Sequence, residues 1–199
     1  SHPEKGQYTL NDVEKLFEDN LHIKSLMISG GSPTMHPELV NEVVNLAKKY
    51  ELFITLETEG SHSLFTDQQI DLISLSPKFE NSIPQLGALT PMGKIVDQKF
   101  IDQHNKFRMN HEAIDQLLNY HKDYHFKPVV DRNQPMWDDI KKFQVQHSIP
   151  DNKVWVMPAG GTREELIPNY SYVMDECVER GYNFTGRAHI IAFNDQRLK

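Results

Sequence analysis

The sequence of 199 residues contains one cysteine, Cys177. A single thiol excludes a disulfide within the chain, and it excludes an iron–sulfur or zinc centre whose several thiolates all come from this sequence. No apolar run reaches the roughly 18 residues of a membrane span, and the opening SHPEKGQYTL lacks the apolar core of a secretory signal. We therefore expect a cytoplasmic protein with no membrane partner.

Basic residues are also few. The chain has 21 Lys and Arg against 28 Asp and Glu, which gives a formal net charge of −7. Because nucleic-acid binders need a basic surface that replaces the counterions of the phosphates, this composition argues against a nucleic-acid partner. Hydrophobic residues make up 38% and charged residues 25%, as in ordinary globular proteins, and the length suits a single domain, residues 1–199.

Strand-like and helix-like segments alternate along the chain. Short apolar runs predict strands, and apolar residues at helical spacing predict helices between them. This alternation predicts an α/β fold with parallel strands, in either an open doubly wound sheet or a partial barrel. The stretch 79–110 is irregular, and we expect an insertion whose first half is a long loop. The predicted strands are 23–28, 52–56, 72–75, 126–130, 154–157 and 187–193, and the predicted helices are 9–20, one beginning at 37, 111–121, 137–147 and 162–180.

Four unusual turns follow predicted strands, with the sequences GGSP, ETEG, SPK and MPAGG. The carboxyl ends of the strands form the reactive edge of parallel α/β folds, so these turns predict a site. Gly30 and Gly31 allow a ligand to approach the backbone closely, although a tight strand-to-helix turn needs the same glycines. The turn has neither the lysine of a P-loop nor the GxGxxG spacing.

Charged side chains lie at the same strand ends. Glu57 and Glu59 point the same way if the strand continues. For Glu57, acid–base work, binding of a cation and plain solvation all remain open, whereas we interpret Glu59 as a solvated loop acid. Lys78 can bind a carboxylate, form a Schiff base or face solvent. The turn at 158–162 leads into a helix amino terminus that favours an anion, and its simpler interpretation is a turn with an N-cap.

Neither the cysteine nor the histidines predict a metal site. Cys177 lies on an apolar helix face and is interpreted as a small core residue rather than a nucleophile. The chain has ten histidines, but their spacing matches no known ligand pattern.

Taken together, the segments LMISGGSP, LETEG, LSPK, VMPAGGTREEL and TGRAHIIAF, in this order and spacing, resemble the 7-carboxy-7-deazaguanine synthases, which are radical S-adenosylmethionine (SAM) enzymes of queuosine biosynthesis. The resemblance implies a partial (β/α) barrel of the radical SAM type with about six mainly parallel strands, and a homodimer. It implies a carbon–nitrogen lyase that converts 6-carboxy-5,6,7,8-tetrahydropterin into 7-carboxy-7-deazaguanine with loss of ammonia. The implied cofactors are SAM, a [4Fe–4S] cluster and Mg²⁺. The implied partners are the pterin substrate and a reductant protein such as flavodoxin or ferredoxin.

The same resemblance implies the site residues. It places the pterin at Ser29 and SAM at the glycine turn and at two later turns. We add Glu57 as an orienting residue on the substrate side, and no catalytic residue is assigned. The implied SAM-binding residues are Gly30, Gly31, Ser76, Pro77, Lys78, Met157, Pro158, Ala159 and Gly160.

The three-cysteine cluster motif of this family is absent from the sequence. Because three thiolates must hold three irons of the cluster, we expect that this chain alone carries no cluster and is inactive in radical chemistry. We favour a chain that begins after the cluster loop over a degenerate homologue that binds SAM or pterin. Two other hypotheses are a non-radical lyase or aldolase, with Lys78 as Schiff-base nucleophile and Glu57 as general acid–base, and a ligand-binding or partner-binding module.

Overall fold

The computed structural model describes residues 8–90 and 93–194, and it divides into two compact units between Tyr124 and His125. In the described part of the first unit the elements are α1 Leu10–Asp19, β1 Ser25–Ile28, α2 Pro37–Lys49, β2 Phe53–Thr58, β3 Leu72–Leu75, α3 Gln98–Arg108 and α4 His111–Tyr120. The strand β4, Tyr124–Phe126, spans the division. The second unit contains β5 Val129–Val130, α5 Trp137–Gln146, β6 Trp155–Pro158, α6 Arg163–Arg180, β7 Asn183–Phe184 and α7 Ala188–Phe193.

In the first unit β1, β2 and β3 pair in parallel, with Leu26 opposite Ile54 and Leu56 opposite Ile73. Ile54 and Leu56 are fully buried, and burial of each such side chain contributes about 1.5–3 kcal/mol. Side chains alternate along a strand. Because Ile54 and Leu56 point into the core, Glu57 lies on the opposite, less buried face of β2. Other fully buried members of the core are Val44, Ala47, Ile73, Leu75, Ile114 and Leu117.

In the second unit β5, β6 and β7 also pair in parallel. Val156 of β6 is fully buried, as are Val130, Ile140, Leu166 and Val173. The observed parallel pairing in both units is the pairing that the alternation of the sequence predicts. No helix in the described ranges is both long and apolar enough to cross a membrane.

Helix ends follow the predicted capping signals. Thr9 and Asp12 form the predicted capping box, in which the Asp12 backbone N–H donates to Thr9 Oγ1 and the Thr9 N–H donates to Asp12 Oδ2. Thr162 caps α6, and Gly181 ends it in the left-handed conformation with φ 70°. These local signals place helix termini well because they satisfy backbone groups that the helix leaves unpaired.

Two strand predictions are wrong. The segment 187–193 forms the helix α7, in which Ile190 is buried but Ile191 and Phe193 remain 40% and 43% exposed. The apolar run is therefore a helix with one buried side chain rather than a buried strand. The predicted strand 126–130 is two short strands, because Pro128 has no N–H for the ladder and lies between β4 and β5.

The irregular stretch 79–110 differs from the prediction in its second half. In its described residues, the first half contains the short 3-10 helix Glu80–Ser82 and an isolated bridge between Leu89 and Ile95. The second half is the helix α3, which Asp97 caps by accepting a hydrogen bond of 2.7 Å from the Phe100 N–H. No side chain of α3 is buried, so the segment lacks the strongly apolar face that marks the other predicted helices. The prediction of a single domain stays a prediction.

Candidate functional site

The turn after β1 consists of consecutive residues in the left-handed region. Gly30, Gly31 and Ser32 have φ values of 85°, 55° and 60°, a conformation that favours glycine because a Cβ makes it strained. A Cβ added at Gly30 or Gly31 would meet no atom within 4 Å. The backbone conformation rather than crowding therefore requires these glycines, and the space beside them is open to a ligand.

The two carboxylates at the end of β2, Glu57 within the strand and Glu59 just after it, both contact this turn. Ser29 Oγ donates to Glu57 Oε2 at 2.9 Å, and Ser32 Oγ donates to Glu59 Oε1. This confirms the prediction that the two side chains point the same way. It also links the first two predicted turns, GGSP and ETEG, through hydroxyl–carboxylate contacts.

The interpretation of Glu59 as a solvated loop acid is wrong. Because the chain turns at Gly60, with φ 81°, the hydroxyl of Ser61 donates back to the same Glu59 oxygen that Ser32 contacts. Burial by itself raises the pKa of the Glu59 carboxyl, but the hydrogen bonds from Ser32 and Ser61 and the charge of Lys78 outweigh it, so the pKa lies below its ordinary value. Glu59 is a half-buried, ionised carboxylate.

The SPK turn after β3 is held by its backbone. The Ser76 N–H donates to Thr58 O at 2.8 Å, and Pro77 is buried. Lys78 follows as an exposed side chain. Ser76 and Pro77 therefore fix the turn, and Lys78 is the member of the motif whose side chain is available to a ligand.

A cavity of about 530 Å³ lies at this end of the first unit. Its volume is within the range of small-molecule sites. The lining includes Glu59 and Lys78 but neither Ser29 nor Glu57. The lining residues lie in or just after the three turns and in α3, and they are Ser32, Met35, Glu59, Ser61, His62, Lys78, Phe100, Gln103, His104, Phe107 and Arg108.

Sequence reasoning missed the α3 wall of this cavity. Phe107 stacks on His62 with ring centroids 5.3 Å apart and planes 19° apart. Burial first, and then the charges of Arg108 and Lys78, lower the pKa of His104 below its ordinary value. The N-cap Asp97 followed by Phe100, His104 and Phe107 at helical spacing was the signal that could have revealed the helix.

In the second unit, the MPAGG turn is held by hydrogen bonds to its backbone. The Ala159 N–H donates to Val130 O at 2.8 Å, and Asn169 Nδ2 donates to Ala159 O at 2.9 Å. A Cβ at Gly160 would lie 2.5 Å from the Leu166 backbone nitrogen, so only glycine fits there. Met157 and Ala159 are half-buried and Pro158 is buried. The prediction that residues 157–160 bind SAM stays a prediction.

The amino terminus of α6 fits the simpler interpretation of this turn. Thr162 Oγ1 accepts from the Glu165 N–H at 3.3 Å, and Glu165 Oε2 accepts from the Gly161 N–H at 2.8 Å. The first turn of α6 thus carries the carboxylates of Glu164 and Glu165. Since these carboxylates already provide negative charge at the positive end of the helix, the turn acts as a cap.

The residues present do not fit an iron–sulfur cluster. Cys177 is 2% exposed, and burial together with Glu176 raises the pKa of its thiol to about 11. It is therefore a neutral core residue, as predicted, whereas the cluster needs exposed thiolates from three cysteines. In residues 8–90 and 93–194, no group of three or more His, Cys, Asp and Glu side chains is arranged to hold a metal ion.

Comparisons with known proteins agree with the family resemblance, although no family model matches the chain. The 7-carboxy-7-deazaguanine synthase of Halobacterium salinarum is 26% identical over 197 residues, which are 97% of this chain and 74% of that protein. The 7-carboxy-7-deazaguanine synthase of Rhodopirellula baltica is 25% identical over 195 residues, which are 98% of this chain and 71% of that protein. The chain is related to the 7-carboxy-7-deazaguanine synthases. The resemblance predicted from the turns is confirmed.

A solved structure shows the same fold. The crystal structure of QueE from Escherichia coli has a TM-score of 0.55 to this chain at 14% sequence identity and covers 90% of it. This chain spans 64% of the QueE chain. The likeness and the parallel pairing of the strands confirm the predicted fold class, an α/β fold with mainly parallel strands.

Proposed function

We propose that this chain is the body of a 7-carboxy-7-deazaguanine synthase that holds SAM and 6-carboxy-5,6,7,8-tetrahydropterin at the strand ends of its first unit. The observation that carries the proposal is the cavity of about 530 Å³ that Glu59, Lys78 and Ser32 of the glycine turn line together. The overall reaction forms 7-carboxy-7-deazaguanine with loss of ammonia. The homodimer, the Mg²⁺ ion and a flavodoxin or ferredoxin reductant belong to the same proposal and rest on the family resemblance.

The chemistry of the lining suits both ligands. SAM offers an ammonium, a carboxylate and an adenine ring, and the pterin offers a ring with N–H donors and a carboxylate. Glu59 is ionised and lines the cavity, so it accepts N–H donors in charge-assisted hydrogen bonds. Lys78 supplies a positive charge for a carboxylate. The cavity therefore has one group for each polar end of these ligands.

The radical step lies outside what these residues can do. SAM cleavage in this family requires a [4Fe–4S] cluster, and the single buried thiol of this chain cannot hold one. The thiolates must come from outside these 199 residues. The part assigned to this chain is therefore to bind the ligands, to orient them and to keep Glu59 ionised beside them.

Binding by the 199-residue chain tests the proposal. We expect SAM and the oxidised analogue 6-carboxypterin to bind in isothermal titration calorimetry, and Glu59→Gln to weaken at least one of them by about tenfold. The matched control is Glu38→Gln, which removes the same charge from the exposed start of α2 and is expected to change neither affinity. Failure of both ligands to bind, or equal effects of the two variants, would contradict the proposal.

The aldolase alternative is less well supported. A Schiff-base lysine is activated by desolvation or by a neighbouring cation, whereas the side chain of Lys78 is exposed. Glu57, its suggested acid–base partner, accepts a hydrogen bond from Ser29 and does not line the cavity with Lys78. Borohydride treatment with a carbonyl substrate is therefore expected to leave Lys78 unmodified, and a covalent adduct there would favour the alternative.

A further inference from the structure

One wall of the cavity comes from α3, to which neither the turn motifs nor the family resemblance assigns a role. The helix lies in the segment 79–110 and contributes five of the lining side chains. Three of them have ring systems, and one, Arg108, carries a permanent charge. The five are Phe100, Gln103, His104, Phe107 and Arg108.

Arg108 is held against the SPK turn. Its Nη1 donates to the backbone oxygen of Lys78 at 3.3 Å, and its Nε donates to Asn105 Oδ1 at 2.9 Å. These contacts hold the Arg108 guanidinium beside Lys78, which is the other positively charged residue of the cavity lining. Arg108, Lys78 and His104 line the same cavity, and the two positive charges contribute to lowering the pKa of His104.

This corner of the cavity has an excess of positive charge. Among the described lining residues Glu59 is the only acid, and Ser32 and Ser61 already donate to it. The chain as a whole carries a net charge of −7. The positive charge of Lys78 and Arg108 in this cavity is therefore opposite in sign to the charge of the whole chain. An arginine fork recognises a carboxylate with two parallel hydrogen bonds, in a geometry that a lysine cannot supply.

We infer that Arg108, together with Lys78, binds the carboxylate of a ligand whose flat ring packs against Phe100, Phe107 and Met35 in this cavity. The inference deepens the proposed function and rests on it, because both proposed ligands are heterocycles that carry a carboxylate. It makes α3 part of the binding site and Arg108 a residue that selects the carboxylated form of the ligand.

Matched ligand pairs test the inference. The first pair is 6-carboxypterin and pterin, and the second is S-adenosylhomocysteine and 5′-methylthioadenosine, which lacks the amino-acid head. We expect Arg108→Gln to weaken binding of the carboxylated member by about tenfold or more and to leave the other member within about twofold. The control is Lys99→Gln, which removes one positive charge from an exposed position of the same helix and is expected to change neither.

A spectroscopic readout accompanies the titrations. A carboxylate bound to Arg108 and Lys78 offsets the charges that lower the pKa of His104, so the NMR titration midpoint of His104 is expected to rise when 6-carboxypterin is bound. Pterin without the carboxylate is expected to leave the midpoint in place. A variant with a merely structural defect in α3 would weaken both members of a pair and would not separate them.

Each outcome decides between the two proposals. If the pterins fail to bind but S-adenosylhomocysteine binds more tightly than methylthioadenosine in an Arg108-dependent manner, the carboxylate site stands and the pterin assignment falls. If 6-carboxypterin binds but Arg108→Gln weakens it no more than it weakens pterin, the proposed function stands and the inference falls. Absence of binding by all four compounds overturns both.

Discussion

Glu57 and Glu59 differ in role although both lie on the same side of one strand end. Glu57 accepts a hydrogen bond from the Ser29 hydroxyl, whereas Glu59 accepts from the hydroxyls of Ser32 and Ser61 and lines the cavity with Lys78. The alternation of side chains along a strand predicts their shared direction. It does not predict that the chain returns at Gly60 and encloses one of them, because that turn depends on the packing beneath it.

Gly60 shows how that packing fixes the turn. A Cβ at this position would lie 2.7 Å from Ile114 Cγ1 and 2.9 Å from Leu75 Cδ1, whereas a Cβ at Gly87 meets no atom within 4 Å. Both glycines have φ 81°, so Gly87→Ala is a matched control for backbone strain. We expect Gly60→Ala to lower the free energy of unfolding by about 1–3 kcal/mol more than Gly87→Ala, measured by urea denaturation. Equal losses would show that Ile114 and Leu75 yield to the methyl group.

His121 is expected to make stability depend on pH. It is 6% exposed, and burial lowers its pKa from 6.5 to about 4. The unfolded chain therefore binds a proton that the folded chain excludes, so the contribution of His121 is complete above pH 6.5 and is lost as pH falls towards 4. The loss is at most about 1.4 kcal/mol per pH unit. Urea denaturation between about pH 4 and 7 should show this slope, and His121→Gln should flatten it.

Asp71 titrates in a separate pH window. Burial raises the pKa of its carboxyl, but hydrogen bonds from Lys122 and Lys48 outweigh burial and lower the pKa from 3.8 to about 2. Its stabilising contribution is therefore lost only between those values, below the window of His121. His104, whose pKa is also lowered, leaves a remaining slope in the same window. A slope between pH 4 and 6.5 that is no smaller in His121→Gln would contradict the assignment to His121.

At the scale of elements, sequence reasoning succeeded where a local signal decides the structure. Leu72–Leu75 forms a strand as predicted, and α6 begins after Thr162 and ends before Gly181. It failed where tertiary contacts decide. The run Ala188–Phe193 is a helix although its β-branched residues favour a strand. The helix α3 has no buried side chain, so no strongly apolar face marks it in the sequence.

The weak anchoring of α3 predicts a low local stability. In the described structure α3 has no buried side chain, whereas α4 buries Ala113, Ile114, Leu117 and Leu118. Opening of α3 exposes little apolar surface, so its amides are expected to exchange with solvent at least about tenfold faster than those of α4. Hydrogen exchange followed by mass spectrometry measures both helices in one experiment. Binding of 6-carboxypterin should slow exchange in α3 and leave α4 unchanged, and equal protection of the two free helices would contradict the prediction.

At the scale of the whole molecule, ligand binding and cluster binding are separable properties. The proposed binding of SAM and a pterin depends on the cavity that Glu59 and Lys78 line. The 7-carboxy-7-deazaguanine synthases that this chain resembles match it over nearly all of its length. Cluster binding depends instead on thiolates, which this sequence does not supply. Affinity for the organic ligands is thus expected in a protein that holds no iron.

An iron and sulfide assay measures this separation directly. After anaerobic reconstitution and desalting, the 199-residue chain is expected to retain fewer than about one iron per molecule, because a [4Fe–4S] cluster needs three protein thiolates and Cys177 is buried and protonated. Cys177→Ala should give the same low value, which distinguishes adventitious iron from thiolate-bound iron. A content of about four irons and four sulfides per chain would contradict the prediction. If that content fell in Cys177→Ala, this thiol would be a ligand, and the core around α6 would have to open to expose it.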